Sequence, residues 1–119
     1  MGKRSKKKPA KWTDSLDPDE VEEAFQEAVV DCYGEDERAS GVLMMAQQEL
    51  QVPFKVRIFG EELDVVDVQA AQDDARGLDL IVERRGERYP VEARSVDLCE
   101  PFPDGHLFLA AYLLWKSVL

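Results

Sequence analysis

The sequence lacks most of the residues and motifs from which enzyme active sites are built. It contains one histidine, His106, and two cysteines, Cys32 and Cys99, which lie far apart in the chain. No CxxC, HExxH, GxxxxGK[ST], GxGxxG or GxSxG motif occurs in the 119 residues. A catalytic carboxylate pair would need a walled cleft, and a zinc site would need clustered nitrogen or sulfur ligands. We therefore expect no enzymatic activity and no zinc site.

Long apolar segments are also lacking. The longest apolar run, LFLAAYLLW from Leu107 to Trp115, is too short to cross a bilayer. The N-terminus has no hydrophobic stretch of the kind found in signal peptides, and two cysteines without a CxxC motif fit a reducing compartment. We therefore expect a cytoplasmic protein without membrane contact, and the length predicts one domain with one core.

Basic residues are scarce outside the N-terminus. The chain has 15 Lys and Arg against 25 Asp and Glu, but six of the bases fall in the acid-free opening MGKRSKKKPAK. The remaining body is strongly acidic and repels nucleic acid and anionic lipid. We interpret residues 1–16 as a flexible basic tail and residues 17–119 as one acidic domain. The tail could carry a nuclear-import or nucleic-acid signal, although a solvated extension is the commoner case.

Two helices are predicted to follow the tail. Asp17 is a typical N-cap with Pro18 at the first helical position. Apolar residues at spacings of three and four predict a helix to about Tyr33 with one inward-facing stripe: Val21, Ala24, Phe25, Ala28, Val29 and Cys32. Gly34 would end this helix in the left-handed conformation. A second helix is expected with the acidic run Glu35-Asp36-Glu37 in its first turn, where the helix dipole favours negative charge. Its apolar face is made by Ala39, Val42, Leu43, Ala46 and Leu50.

From Phe54 the apolar period changes to two, which predicts strands. The second strand slips in its alternation at Val65-Val66, as expected at a bulge or at the corner of a small barrel. Pro90 restricts the fourth strand to a sheet edge or a non-pairing position. An apolar C-terminal helix is expected from Leu107. We therefore predict an α+β domain with two N-terminal helices, a four-stranded antiparallel meander and a C-terminal helix. The sequence does not decide whether the meander curves into a barrel.

Carboxylates dominate the first helix and the turn after it. At 100° per residue, Glu20, Glu23, Glu27 and Asp31 fall within about 80° of each other, so several like charges face one another at i and i+4. No base occurs between Lys11 and Arg38 to relieve them. Clustered acids at a turn suit calcium, which takes many oxygen ligands in irregular geometry. An acidic helix face is nevertheless more often simply solvated, and that interpretation stays open.

The acidic turn does not follow the EF-hand pattern. Counted from Asp31, the sixth position is Asp36 rather than glycine and the twelfth is Val42 rather than glutamate. Any calcium site here must therefore have a geometry of its own.

A run of short motifs resembles the small calcium-binding proteins of cyanobacteria and other bacteria, the CcbP-like family. AVVDCYGEDE, residues 28–37, is similar to that family's DCYGEEE-type signature. The match continues in order with Val52-Pro53-Phe54, Phe59-Gly60, Arg84-Arg85-Gly86, Val96-Asp97-Leu98 and a closing helix containing Ala111, Tyr112 and Trp115. Asp36 stands where the family often has glutamate, and Glu100 and Phe102 interrupt its proline segment.

This resemblance implies reversible calcium binding in calcium homeostasis, as a buffer or weak sensor, without catalysis. Carried over by position, the implied ligands are Asp31, Glu35, Asp36 and Glu37 in the signature and Asp97 before the proline segment, to which the acidic stripe adds Glu27. The alternative from the residues is a metal-independent interaction module that binds protein through the Pro90 edge, or nucleic acid through the basic tail. No particular protein partner follows from the sequence.

Overall fold

Alternating apolar and polar residues beyond Phe54 form an antiparallel sheet, and helices from both ends of the chain share its core. The computed structural model describes residues 11–72 and 77–118. Its helices are α1 (Pro18–Ala28), α2 (Glu35–Glu49) and α3 (His106–Val118), and its strands are β1 (Phe54–Ile58), β2 (Glu61–Ala70), β3 (Leu78–Arg84), β4 (Glu87–Glu92) and β5 (Asp97–Leu98). Short 3-10 helices span Lys11–Ser15 and Ala93–Ser95. The α+β class predicted from the sequence is confirmed.

The sheet has the order β4-β3-β2-β1-β5 and remains open. The four-strand meander is as predicted, but a closed, barrel-like sheet is not formed and a fifth strand is added. In that strand, Leu98 pairs with Val56 of β1. β5 could not be predicted from the sequence because two residues are too few to show an alternating pattern.

The irregularities that the sequence predicted within the meander are present. The β2–β3 register shifts between Val65 and Asp67, at the expected bulge. Pro90 lies on β4, an edge strand of the sheet, where its missing N–H removes no ladder hydrogen bond to a second neighbour. Tight turns at Phe59-Gly60 and Arg85-Gly86 join the hairpins, and all four of these residues have positive φ.

The first helix is shorter than predicted. It ends at Ala28, and a turn over Val29 to Asp31 follows, so the helix does not reach Tyr33. Gly34 is not the left-handed end of α1 but the N-cap of α2, with an extended φ of −137°. Val29 is buried and Cys32 packs against the core from the turn. The apolar spacing therefore identified inward-facing residues correctly although the backbone leaves the helix.

Residues 11 to 16, which we expected to belong to the tail, pack against the domain. Trp12 is only 6% exposed and lies in the core, with its ring edge against Phe102. Its backbone N–H donates to Asp97 Oδ1 at 3.1 Å. Thr13 is also buried, and Leu16 packs against the core. The predicted boundary at residue 17 is therefore too late. Residues 1–10 lie outside the described part of the chain.

One hydrophobic core joins the helices to the inner face of the sheet. Its most deeply buried side chains include Val42 of α2, Val65 of β2, Leu80 of β3 and Leu109 and Leu113 of α3. The C-terminal helix α3 packs against α1 and α2. In the described ranges, no helix combines the length and the apolar character needed to cross a membrane.

Candidate metal centre

The connection between α1 and α2 positions the acidic signature at the surface. After α1 ends, the Cys32 N–H donates to the Val29 carbonyl at 2.9 Å and closes a turn. This turn directs Cys32 toward the core and leaves Asp31 exposed. Gly41 of α2 lies against the same turn, where an added Cβ would be 2.8 Å from the Ala28 carbonyl oxygen and 3.0 Å from Cys32 Sγ. The absence of a side chain at Gly41 therefore lets the turn approach α2 closely.

The acids Glu35, Asp36 and Glu37 form the first turn of α2, as predicted. Negative charge is favourable there because the unpaired N–H groups of a helix N-terminus carry partial positive charge. Glu37 Oε1 also accepts a hydrogen bond from the Tyr33 N–H at 2.7 Å, which ties the helix start to the preceding turn. Part of the signature therefore has a structural role in starting α2, independent of any ion.

Three of the six predicted ligands meet at one shallow depression between the turn and α2. The depression has a volume of about 380 Å³ and is lined by Asp31, Cys32, Asp36, Glu37, Ser40, Gly41 and Met44. The acids Asp31, Asp36 and Glu37 therefore share one surface. Glu27 and Glu35 lie close by in the sequence, on α1 and α2, but do not line the depression.

Asp97, the sixth predicted ligand, lies on β5 and also does not line the depression. Its Oδ1 accepts the Trp12 N–H, so this carboxylate holds the N-terminal 3-10 helix against the sheet. Asp97, which the family resemblance implied as a calcium ligand, thus has a structural role in this fold.

Sequence reasoning missed Ser40, which adds a hydroxyl oxygen to the depression. Ser40 follows Asp36 by four residues and Glu37 by three, so it lies on the same face of α2. Helical spacing from the acidic run would have found it. Met44 lies one turn further along α2 and is half exposed at the rim.

The donor set fits calcium in kind but is not assembled as a metal site. Calcium prefers carboxylate, hydroxyl and carbonyl oxygens, which this depression offers, and it accepts six to eight of them. Yet within residues 11–72 and 77–118, no three His, Cys, Asp or Glu side chains converge closely enough to hold a metal ion. The carboxylates would have to move toward one another to share an ion.

Basic side chains of the sheet form ion pairs with acidic side chains of the sheet, away from this depression. Lys55 pairs with Asp64 at 2.7 Å and Arg57 with Glu62 at 3.0 Å, across the β1–β2 hairpin. The hydrogen bond from Lys55 to Asp64 raises the pKa of the lysine above its ordinary value. Because no base precedes Arg38 after Lys11, the α1–α2 corner carries a concentration of negative charge.

Comparisons with known proteins identify the fold. No protein-family model matches the chain. No curated protein matches it either. The fold is similar to the crystal structure of CcbP from Anabaena, with a TM-score of 0.65. The two chains are 20% identical, and the alignment covers 87% of this chain and 94% of the Anabaena chain. The chain therefore has a CcbP-like fold, as the sequence resemblance implied.

Proposed function

We propose that the protein binds calcium reversibly and acts as a calcium buffer or weak sensor in the cytoplasm, without catalysis. The observation that carries the proposal is that Asp31, Asp36 and Glu37 line one depression. It is supported by the CcbP-like fold, since the sequence signature that resembles this calcium-binding family lies at the same corner.

Charge repulsion among these carboxylates favours a divalent cation. Asp31, Asp36 and Glu37 are all exposed, so they keep most of their hydration, and binding an ion removes only part of it. Closing three carboxylates without an ion would bring like charges together, which is unfavourable. Calcium offsets this repulsion, and we propose that it draws Asp31 toward the first turn of α2. Ser40 and backbone carbonyls of the turn could then supply further oxygens.

Magnesium should bind more weakly at the same place. It requires near-ideal octahedral geometry and gives up its water reluctantly, whereas an open turn offers its oxygens irregularly. This difference separates a calcium site from general attraction of cations to an acidic protein.

Calorimetric titration of the full chain with calcium, and separately with magnesium, tests the proposal. We expect saturable calcium binding at micromolar to submillimolar strength, weaker magnesium binding, and a higher melting temperature in millimolar calcium than in chelator. Equal heats for the two ions, together with superimposable melting curves, would contradict it.

The alternative function is a metal-independent interaction module. Exposed apolar side chains near the acidic depression favour a protein ligand over a nucleic acid, because the acids around them repel phosphate groups. If the protein shows no saturable calcium binding, the interaction module becomes the favoured function.

A further inference from the structure

Three large apolar side chains are exposed at or near the connection between α1 and α2. Val30 is 73% exposed, Tyr33 89% and Met44 50%. Single exposed apolar residues are common and need no explanation, but apolar groups gathered at one place indicate an interaction surface.

These three side chains belong to the same corner of the fold. Met44 lines the depression together with Asp31. Val30 directly precedes Asp31 in the turn, and the Tyr33 N–H is bonded to Glu37 Oε1 at 2.7 Å. We name this surface the α1–α2 patch; it consists of Val30, Tyr33 and Met44 with Asp31, Asp36 and Glu37.

We propose that the α1–α2 patch binds a basic, amphipathic segment of another protein, one that carries Lys or Arg beside large apolar side chains. Charge complementarity favours a segment with Lys or Arg, because the patch contains three carboxylates and the chain from residue 12 to residue 37 has no basic residue. The exposed apolar side chains of the patch favour a segment that also carries large apolar side chains, since Tyr and Met are typical of the central contacts of protein interfaces.

Two other occupants suit the patch less well. The chain's own opening MGKRSKKKPAK is basic, but apart from Met1 it has no large apolar side chain to cover Tyr33 and Met44. A second copy in a two-fold dimer centred on the patch would place each patch against the same patch, and so acid against acid.

The proposal requires no metal, but it has a consequence for the proposed function. If calcium binds through Asp31, Asp36 and Glu37, calcium and the basic segment need the same carboxylates. Each would then weaken the binding of the other by the same factor, because coupling between two ligands is reciprocal. This consequence rests on the proposed function, whereas docking in chelator does not.

The test uses the full chain in chelator and a fluorescein-labelled helical peptide of Leu and Lys, with anisotropy as the readout. A second peptide, in which every Leu is replaced by Ala, keeps the charge and removes the apolar face. We expect saturable binding of the Leu-Lys peptide and at least tenfold weaker binding of the Ala-Lys peptide. Equal binding of both peptides would overturn the proposal, because charge alone would then explain it.

Matched variants locate the binding. Tyr33→Ser with Met44→Gln removes apolar surface from the patch at constant charge, and we expect it to weaken the Leu-Lys peptide at least tenfold. The control Phe59→Asn removes a fully exposed aromatic ring at the β1–β2 hairpin, and we expect less than a twofold change. Unchanged binding by the patch variant, or equal losses in patch and control, would overturn the proposal.

Further measurements identify the other occupants. Tighter peptide binding after Lys6→Gln, Lys7→Gln and Lys8→Gln would assign the patch to the chain's own basic segment. A wild-type dimer in sedimentation that Tyr33→Ser dissociates would assign it to a second copy. Either result would overturn the proposal. Repeating the titration in calcium should weaken the peptide; unchanged affinity in calcium would overturn only the competition, while calorimetry without peptide tests calcium binding separately.

Discussion

Replacing Gly41 by alanine tests how closely the acidic turn packs on α2. In an exposed helix interior, Gly to Ala stabilises by about 1 kcal/mol, because alanine has the higher helix propensity. At Gly41 the new Cβ would lie 2.8 Å from the Ala28 carbonyl oxygen and 3.0 Å from Cys32 Sγ. Favourable contacts between carbon atoms lie at about 3.5 to 4.0 Å, so something must move.

The atom that blocks the Cβ most closely is backbone, and it cannot rotate away as the end of a side chain can. Overpacking of this kind costs about 1–3 kcal/mol, which exceeds the gain in helix propensity. We therefore expect Gly41→Ala to lower the free energy of unfolding by about 1 kcal/mol net.

Urea unfolding followed by circular dichroism measures this change. Gln48→Ala, at an exposed position of the same helix, is the control and should leave stability unchanged or slightly higher, by some tenths of a kcal/mol. Gly41→Ala that is more stable than wild type by about 1 kcal/mol would refute the close approach of the turn to α2.

Two other predictions concern the N-terminal segment and the second cysteine. Trp12→Ala should lower the free energy of unfolding by about 3–5 kcal/mol, because it empties a buried aromatic site; an unchanged urea midpoint would return residues 11–16 to the tail. Burial raises the pKa of the Cys99 thiol, so its thiolate should appear at higher pH than that of a free thiol. Alkylation by iodoacetamide, followed by mass spectrometry, should rise with pH later at Cys99 than at a cysteine in a short peptide, and coincident profiles would contradict the burial.

Much of the sheet could be predicted from the sequence because each irregularity had a local cause. The broken alternation at Val65-Val66 marked the bulge, and Pro90 marked the edge strand. The pairing of Leu98 with Val56 could not be predicted, since it joins residues far apart in sequence and β5 is too short to show a period.

The end of α1 shows where periodicity fails. Spacing identified Val29 and Cys32 as inward-facing, and both pack against the core, but spacing does not reveal whether the backbone between them is helical. Here the chain turns after Ala28, where α2 approaches through Gly41, a contact between two elements. The same turn places Asp31 at one depression with Asp36 and Glu37. The depression therefore depends on tertiary structure, which the pattern of acidic residues along the first helix does not predict. Trp12 was assigned to the tail for a related reason. Its contacts are with Asp97 and Phe102, which lie far away in the sequence, and the composition of the N-terminus does not reveal them.

The most direct test of calcium binding at the α1–α2 corner compares a site variant with a charge-matched control. Asp31→Asn removes one carboxylate from the depression, and Glu92→Gln removes one exposed carboxylate from edge strand β4. In calorimetric titration with calcium, we expect Asp31→Asn to weaken binding at least tenfold, about 1.4 kcal/mol, and Glu92→Gln by less than twofold. Equal losses that added salt abolishes would mean that the field of the whole acidic body attracts the ion, and would contradict a site at Asp31.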